Sequence, residues 1–384
     1  MKDLVRILLF LFVISFSVYQ TSFATNVLSE KAEVYLLTAS PGNELYSVFG
    51  HSAIFIDDPY NQIDRVYNYG TFDFNTPNFY IKFIRGKLHY MLSVAPIRYF
   101  EYEYRMSGRG VVKQKLNLTI EEKQKIFEFL EENKKPENKY YLYDFFFDNC
   151  ATRIRDVFDN QAEIHWHEYP YEFEQTTLRE LVRKYVDNLK WEKFGVDVAL
   201  GMPVDRRATA WEYMFLPDYM AVAFAHAKKG NGENLVLEEI EIAPKTLKEK
   251  KPGFFTPLVA FWSLFVLVFF GLAYSSTRKA VAKIWLFILG FAGIALLPLF
   301  LFTDHITFNP NFSFLWALPT NALFVFFSYK NWGKKYFKAV FILGVVMLIF
   351  WNWLPQVYNA AVIPIILSSV LCSATLAFVK QQKP

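Results

Sequence analysis

Acidic side chains are almost absent from the last third of this 384-residue chain. Residues 254–384 contain one acidic and nine basic residues, whereas residues 25–253 contain 35 acidic and 30 basic ones. The longer, N-terminal segment is therefore net acidic, which argues against a nucleic-acid-binding protein. The chain as a whole is 53% hydrophobic with a mean hydropathy of +0.14, and this is too apolar for an ordinary soluble enzyme of its size.

The apolar residues of the C-terminal third fall into five runs, each close to the ~20 residues that a helix needs to cross a bilayer. The runs are roughly 254–275, 284–302, 312–329, 337–354 and 359–379. All nine basic residues fall on one side of the resulting topology, which the positive-inside rule assigns to the cytoplasm. The sequence therefore predicts five transmembrane helices within residues 254–384, with the C-terminus in the cytoplasm.

The N-terminus has the three zones of a secretory signal. Lys2 and Arg6 precede the apolar run Ile7–Val18, and small residues come next at Ser22–Ala24. We predict a signal peptide over residues 1–24, with an uncleaved anchor as the alternative; either one exports the next segment of the chain. Residues 25–242 then form the exported domain, and residues 243–253 form a charged tether to the first crossing.

The exported domain is predicted to be α+β. Three alternating runs predict strands, and two threonine caps predict amphipathic helices. The strands are Ala32–Leu37, Ser52–Asp57 and Arg65–Tyr69, and the helices begin after Thr119 and Thr177, the first ending near Asn133. The last two strands are close enough in sequence to form a hairpin.

Cysteine is scarce in the whole chain, which has only Cys150 and Cys372. The predicted topology puts them in different compartments, so they cannot form a disulfide with each other. Cys372 lies in the fifth apolar run, where a packing role is expected. Cys150 follows an aromatic run, Tyr140–Phe147, and directly precedes a predicted helix that Asn149 can cap. A thiol at a helix N-terminus has a lowered pKa and amide donors for an oxyanion.

A thiolate nucleophile needs a base, and His51 is the best placed of the histidines. It follows Gly50 and begins a strand. In the predicted hairpin Asn68 lies on the same face and can orient the imidazole, with Asp73 as the alternative. The competing interpretation is that His51 caps a strand and that Cys150 is a buried core thiol.

A strand histidine followed by a helix-start cysteine resembles the circularly permuted papain-like superfamily, which includes lecithin-retinol acyltransferase. Several segments more specifically resemble a bacterial family, formerly a domain of unknown function, that is assigned to lipoprotein N-acyltransferase. These segments are Phe49–Ala53, Tyr67–Asp73, Gln114–Thr119, Tyr143–Arg153 and Phe215–Asp218. The resemblance extends through the C-terminal membrane part.

This resemblance implies an exported, permuted papain-like cysteine acyltransferase domain followed by an all-α bundle of five transmembrane helices. It places the protein in the bacterial inner membrane, with the catalytic domain in the periplasm. The implied reaction moves an acyl chain from a membrane phospholipid to the α-amine of a diacylglyceryl-cysteine lipoprotein, without a cofactor. His51 would deprotonate Cys150, and the Cys150 amide, with the Asn149 side chain, would hold the oxyanion.

Three further residues are candidates for substrate binding. Arg153, one helical turn after Cys150, is suited to a lipid phosphate or to an ion pair with Asp156. Asp304 and His305 lie on a predicted outward loop, where they would meet a headgroup or the lipoprotein amine, or only solvent.

Aromatic side chains offer an acyl groove or a membrane contact, with ordinary core packing as the alternative. They are Phe72, Phe74, Phe79, Tyr80, Phe83, Tyr90, Tyr99, Phe100, Tyr102 and Tyr104. His165 and His167 alternate as in a strand, but further zinc ligands are not evident, so no metal is expected.

Two other functions remain open at this point. The superfamily contains peptidoglycan endopeptidases and amidases, although five crossings and the lack of a recognisable wall-binding module argue against this activity. The second is a non-enzymatic exported sensor or assembly factor in which Cys150 is structural, and it predicts that Cys150→Ser keeps function.

Overall fold

The structure is a computed structural model that describes residues 27–166 and 176–379. The predicted signal peptide at residues 1–24 lies outside the described residues, as do His167, Lys380 and Lys383. Within the described residues there is a mixed α/β N-terminal domain and a helical C-terminal region, as the sequence predicts.

The strands of the N-terminal domain that the structure describes are β1 (Glu33–Ala39), β2 (His51–Asp58), β3 (Ile63–Thr71), β4 (His89–Ala95), β5 (Val111–Leu116), β6 (Tyr140–Leu142), β7 (Ile164–His165), β8 (Lys228–Lys229) and β9 (Val236–Ala243). Seven of them form one sheet with the order β6-β4-β3-β2-β1-β5-β9, in which every neighbouring pair is antiparallel. The other two, β7 and β8, pair with each other. The β2–β3 hairpin predicted from the sequence is present.

Within residues 27–166 and 176–243 the structure also has eight α-helices. They are α1 (Phe79–Ile84), α2 (Ile97–Met106), α3 (Ile120–Asn133), α4 (Cys150–Gln161), α5 (Leu178–Tyr185), α6 (Lys190–Ala199), α7 (Ala210–Tyr213) and α8 (Pro217–His226). Alternate residues of the central strands enter two cores. Leu36 and Ile54 join the larger core with Ile154 of α4, whereas Leu37 joins the smaller core with Phe100 of α2.

The predicted helix starts are confirmed. Thr119 and Glu122 form a capping box at the start of α3, which ends at Asn133 as expected. Thr177 and Glu180 form the same arrangement at the start of α5. These caps depend on residues three positions apart, so the local sequence is sufficient to specify them.

The aromatic run Tyr140–Phe147 is a strand only over its first three residues. Beyond them the Asp144 carboxylate accepts hydrogen bonds from the amides of Phe146 and Phe147, at 2.9 and 3.0 Å. This side-chain contact folds the chain into a turn directly before α4. The turn allows the cysteine to begin a helix instead of ending a strand.

The C-terminal region contains four long helices, which correspond to four of the five predicted crossings. They are α9 (Pro257–Ala273), α10 (Arg278–Leu301), α12 (Asn331–Ile349) and α13 (Val362–Phe378). Among the described residues, α10 is the one helix both long and apolar enough to cross a bilayer. Helices α9 and α13 are apolar but have 17 residues each.

The third predicted run, residues 312–329, is not a continuous helix. It consists of the 3₁₀ turns Phe312–Leu315 and Val325–Phe327 on either side of the four-residue helix α11 (Asn321–Phe324). Pro319 lies in the break, where its ring and its missing amide hydrogen prevent a regular helix. The prediction of one helix through this run is wrong, because apolar composition does not report such a break.

Close packing accompanies the break. A Cβ atom on Gly293 of α10 would collide with the carbonyl of Ala317, and one on Gly290 would collide with the backbone of Ala322. The Tyr336 hydroxyl donates a hydrogen bond to the Asn321 side chain, at 2.7 Å. The irregular segment is therefore packed against α10, and the polar side chain of Asn321 within it has a hydrogen-bond partner on α12.

A polar junction joins the two regions. Arg179 of α5 is fully buried and binds Asp205 at 2.5 Å and the carbonyls of residues 200 and 201 at 2.9 Å. Asp197 accepts a hydrogen bond from Asn359, at 2.9 Å, and the Gln356 side chain donates to the carbonyl of Leu200. The N-terminal domain is therefore fixed to the ends of the C-terminal helices by buried, directional contacts.

Candidate active site

Strands β2 and β3 and helix α4 bring His51 and Cys150 together around a glycine. A Cβ atom on Gly70 would lie 3.3 Å from the Cys150 Cβ and 3.8 Å from the His51 Cε1. Gly70 also has φ +89°, a region that glycine adopts without strain. A missing side chain at the end of β3 therefore makes room for the thiol and imidazole to meet.

Cys150 is the first residue of α4, and Asn149 is its N-cap. The Asn149 Oδ1 accepts hydrogen bonds from the amides of Ala151 and Thr152, at 2.8 and 2.9 Å. The Thr152 hydroxyl in turn accepts from the Asn149 amide, at 2.8 Å, which completes a capping box. The predicted cap is confirmed, and it holds the thiol at the positive end of the helix dipole.

The second predicted role of Asn149, an oxyanion donor, does not fit the structure. Both hydrogens of its side-chain amide are already used, because Nδ2 donates to the carbonyls of Phe145 and Phe215 at 2.8 Å each. The amides of Ala151 and Thr152 bond the Asn149 cap, so the backbone amide of Cys150 is the donor at the start of α4 that is left for an oxyanion. The two carbonyl contacts could not be foreseen, because residue 215 is 66 positions away.

The environment favours an ion pair between Cys150 and His51. Burial by itself raises the pKa of the Cys150 thiol, but the His51 charge and hydrogen bond, with the amides of Ser52 and Ala151, bring that pKa below its ordinary value. Burial and the charge of Arg109 oppose protonation of His51. The charge of the Cys150 thiolate and the hydrogen bonds to Cys150 and Asn68 favour protonation, and overall they raise the His51 pKa. The thiolate and imidazolium stabilise each other.

Asn68 binds the far side of the imidazole, as the hairpin geometry predicts. The His51 Nε2 and the Asn68 Oδ1 are 2.5 Å apart. The other ring nitrogen, Nδ1, is then left to exchange a proton with the thiol. Asp73, the alternative orienter, instead accepts a hydrogen bond from the amide of Asn75, at 2.8 Å.

Arg153 lies beside the site, but its ion-pair partner is not the predicted one. It forms a two-point contact with Asp148, at 2.6 and 2.8 Å, and its guanidinium lies 3.7 Å from the centre of the Tyr141 ring. Asp156 pairs with Arg155, at 2.7 Å. Helical spacing predicts Asp156 as the partner of Arg153. The turn before α4 instead brings Asp148 close to the Arg153 side chain.

Asp304 and His305 are not on a merely solvated loop. Asp304 forms an ion pair with Lys87, and the His305 Nε2 is 3.0 Å from the carbonyl of Phe83. Both residues therefore join the C-terminal region to the end of α1 and the segment after it. Their hydrogen bonds and ion pairs in the described structure are with residues 83–87, Thr303 and Phe308, and not with Cys150 or His51.

The aromatic candidates separate into three groups. Phe100 and Tyr104 are buried in the core under α2, so packing explains them. Phe72, Phe79 and Tyr90 pack against one another beside the site. The remaining five are exposed on α1, on α2 or just before α1: Phe74, Tyr80, Phe83, Tyr99 and Tyr102.

Two residues near the site were not predicted. Gly70 is one, and its position directly after Tyr69, near the end of a predicted strand, is a signal that could have pointed to it. Arg109 is the other: it is 9% exposed, its Nε donates to the carbonyl of Ser40 at 2.7 Å, and its guanidinium covers the Tyr104 ring. Glycines on both sides of it, at positions 108 and 110, were the available signal.

Within residues 27–166 and 176–379, no group of three or more His, Cys, Asp or Glu side chains could hold a metal ion. His165 lies in the short β7–β8 ribbon, paired with Lys228.

Comparison with known protein families gave two matches. Residues 19–184 match the family described as the Lnb N-terminal periplasmic domain, and residues 249–384 match the Lnb transmembrane domain. Neither a curated protein nor a solved structure matched the chain. The two matches agree with the chain order and the two regions of the structure, and they confirm the resemblance drawn from the sequence. The chain belongs to the Lnb family and is a membrane protein with a periplasmic N-terminal domain.

Proposed function

We propose that this protein is a lipoprotein N-acyltransferase. It moves an acyl chain from a membrane phospholipid to the α-amine of a diacylglyceryl-cysteine lipoprotein, through a thioester on Cys150. The observation that carries the proposal is the pairing of Cys150, at the start of α4, with His51, which Asn68 orients, in a domain joined to membrane helices. Membership of the Lnb family supports it.

The first half-reaction makes the thioester. His51 holds the proton of Cys150, and the thiolate attacks the carbonyl carbon of a phospholipid ester. The amide of Cys150 and the positive end of α4 stabilise the oxyanion that forms. As this intermediate collapses, the C–O bond breaks, and His51 returns its proton to the departing lysophospholipid alkoxide.

The second half-reaction makes the amide. An α-amine has a pKa of about 8, so part of it is neutral near pH 7 and attacks the thioester carbonyl. The proton lost from nitrogen passes to His51, the C–S bond breaks and the thiolate is restored. Asn68 keeps the imidazole oriented through both steps, because its Oδ1 accepts the hydrogen on Nε2. The buried thiol limits attack by water, which would turn the transferase into a lipase.

We further propose a permuted papain-like relationship for the N-terminal domain and an inner-membrane location with a cytoplasmic C-terminus. A histidine at a strand start and a cysteine at a helix start support the first. The second is supported by the basic residues on one side of the C-terminal region. Phospholipid is the donor and a diacylated lipoprotein the acceptor, and no cofactor takes part.

Intact mass spectrometry of the full chain in phospholipid vesicles tests the proposal. Wild type should carry a fatty-acyl adduct on Cys150 that hydroxylamine removes, whereas Cys150→Ser should not. Addition of a diacylated lipopeptide should discharge the adduct and yield a triacylated product. Absence of the adduct from folded protein under rapid quenching would contradict the proposal. Release of peptide from peptidoglycan by the same sample would favour a wall hydrolase instead.

A further inference from the structure

We infer that helix α1 dips into the outer leaflet of the membrane and guides one acyl chain of the donor lipid to Cys150. The chain would follow an aromatic row made of Phe79, Phe72, Tyr90 and Tyr143. This inference rests on the proposed function, which it deepens by naming where the lipid leaves the bilayer.

The composition and exposure of α1 are the first observation. None of its six residues is buried, although five of them are aromatic or aliphatic. Tyr80 is 73% exposed, Ile81 59% and Phe83 49%, and the neighbouring Phe74 is exposed too. A contiguous apolar surface of this kind on a folded domain marks a contact with something apolar.

The position of α1 relative to the membrane helices is the second observation. The chain that leaves α10 at Leu301 runs directly against the end of α1. The Thr303 hydroxyl donates to the carbonyl of Ile84, at 2.9 Å, and the amide of Asp304 donates to the carbonyl of Arg85, at 3.0 Å. Since α10 is the helix long enough to cross the bilayer, its end marks the membrane surface.

The side chains of this junction strengthen the same placement. Lys87 forms an ion pair with Asp304, and His305 bonds the carbonyl of Phe83. Gly86 has φ +68°, and a Cβ atom on it would lie 3.4 Å from the Asp304 Cβ and 3.5 Å from the His305 Cε1, so the two segments approach closely here. Helix α1 is therefore held at the level of the headgroups and upper acyl chains by contacts from both sides. Its exposed face meets lipid there, as interfacial helices do.

The aromatic row is the third observation. The rings of Phe79 and Phe72 lie 5.8 Å apart, those of Phe72 and Tyr90 5.2 Å, and those of Tyr90 and Tyr143 4.2 Å. These contacts form an unbroken row of packed rings that begins on α1 and passes through Tyr90, which is 7% exposed. None of the four side chains is charged at neutral pH, so a hydrocarbon chain can lie along them without desolvating an ion.

The row ends at the thiol. Phe72 comes two residues after Gly70, directly beyond the end of β3 at Thr71, so it stays close to Gly70. Two residues of a strand span about 7 Å, and Gly70 lies against Cys150. An ester near the membrane surface could thus place its carbonyl at Cys150 while its acyl chain remains on the row. The apolar face of α1 suits that acyl chain better than a phosphate, which would need converging cations.

Donor choice tests the inference. The double variant Tyr80→Ser/Phe83→Ser should acylate Cys150 at least tenfold more slowly from phosphatidylethanolamine–phosphatidylglycerol vesicles. With monomeric dihexanoyl phosphatidylcholine, which reaches the site from water, its rate should stay within twofold of wild type. The matched control is Tyr60→Ser, an exposed aromatic on the β2–β3 turn, at the opposite end of β3 from Gly70. It should change neither rate. Equal rates with vesicles for the double variant and wild type would overturn the inference, and so would an equal loss with both donors.

A second measurement does not depend on activity. In a Cys150→Ser/Cys372→Ala background, Ile81→Cys labelled with a fluorophore should be quenched by vesicle lipids that carry a nitroxide on the acyl chain. Tyr60→Cys labelled in the same way should not be quenched. Lack of quenching at position 81 would overturn membrane contact by α1. If wild type is acylated by neither donor, the proposed function fails, while quenching still reports where α1 lies.

Discussion

Cys150 and Cys372 are both buried, and their surroundings differ in almost every other respect. Cys150 begins a helix, next to an imidazole and two backbone amides that hydrogen-bond its sulfur. Cys372 lies inside α13, in the apolar core of the C-terminal region. Nearby hydroxyls are turned back on their own helix: Ser368 donates to the carbonyl of Pro364, at 2.8 Å, and Ser373 to that of Ser369, at 2.6 Å.

The two cysteines show that polar groups find their hydrogen-bond partners differently in the two regions. In α13 these hydroxyls are satisfied by the turn before them, so they are not left for chemistry. At the start of α4 the partners of the thiol come from β2, while the helix cap bonds residues as distant as Phe215. Reactivity is therefore a property of the assembled site, and a thiol without that assembly is a packing residue.

The largest effect on the rate of acyl transfer is expected from replacing one of the two cysteines, which are substituted separately. Cys150→Ser should lower acyl transfer to a diacylated lipopeptide by at least about a thousandfold, because the nucleophile is lost. Cys372→Ala should leave the rate within twofold. The rates are measured by mass spectrometry of the lipopeptide product. A large loss in Cys372→Ala protein that melts at the wild-type temperature would contradict the contrast.

A smaller effect is expected from filling the space that brings the thiol and imidazole together. Gly70→Ala should reduce transfer by roughly a hundredfold, because the new methyl would displace Cys150 and strain a positive φ. Gly195→Ala is the control, since a Cβ atom there meets nothing within 4 Å. Rates are compared in samples with equal circular dichroism. Wild-type activity in Gly70→Ala would mean that the site tolerates a wider separation.

Alkylation by iodoacetamide should reveal the ion pair at Cys150. The pKa of Cys150 is lowered and that of His51 is raised, so the Cys150 thiolate forms at a lower pH than an ordinary thiolate does and is lost as the pH falls below the Cys150 pKa. The wild-type midpoint should therefore lie below the ordinary thiol value of about 8.5.

His51→Gln should raise that midpoint and slow alkylation at pH 6.5 by about tenfold, because the stabilising cation is gone. Asn68→Ala should cause a smaller shift in the same direction, since Asn68 supports the protonated ring. An unchanged midpoint in His51→Gln would show that the helix N-terminus alone activates the thiol.

The smallest effect on catalysis, though a large one on stability, is expected at the junction of the two regions. Arg179→Met leaves Asp205 without its buried partner and should cost about 3–5 kcal/mol, lowering the melting temperature by roughly 10 °C. Arg206→Ala removes the more exposed pair with Glu212 and should cost less than about 1 kcal/mol. Thermal melts in detergent compare the two. Equal shifts would mean that the buried Arg179–Asp205 pair contributes no more to stability than the exposed pair does.

Much of the site was predictable because its parts are local. The hairpin between β2 and β3 sets the register that brings Asn68 under His51, and only 17 residues separate them. The cap at Asn149 depends on its own side chain and the next turn of helix. A residue type, a spacing and a turn signal are enough for such features.

Other parts were not predictable because their partners are distant or irregular. The pairing of Arg153 with Asp148 depends on a turn made by Asp144, and the approach of Asp304 to Lys87 joins residues more than 200 positions apart. Gly70 has a role only once the helix that starts at Cys150 packs against β3. None of these contacts has a periodic signal in the sequence.

The sequence by itself determined the division into an acidic domain and an apolar, basic region, the starts of α3, α4 and α5, and the family. These depend on composition, on neighbours three or four positions apart and on short motifs. Only the tertiary structure decided how the third apolar run is broken, that both side-chain donors of Asn149 are already used, and that Cys150 meets His51. Each of these depends on how close distant segments approach, and packing of the whole chain sets that distance.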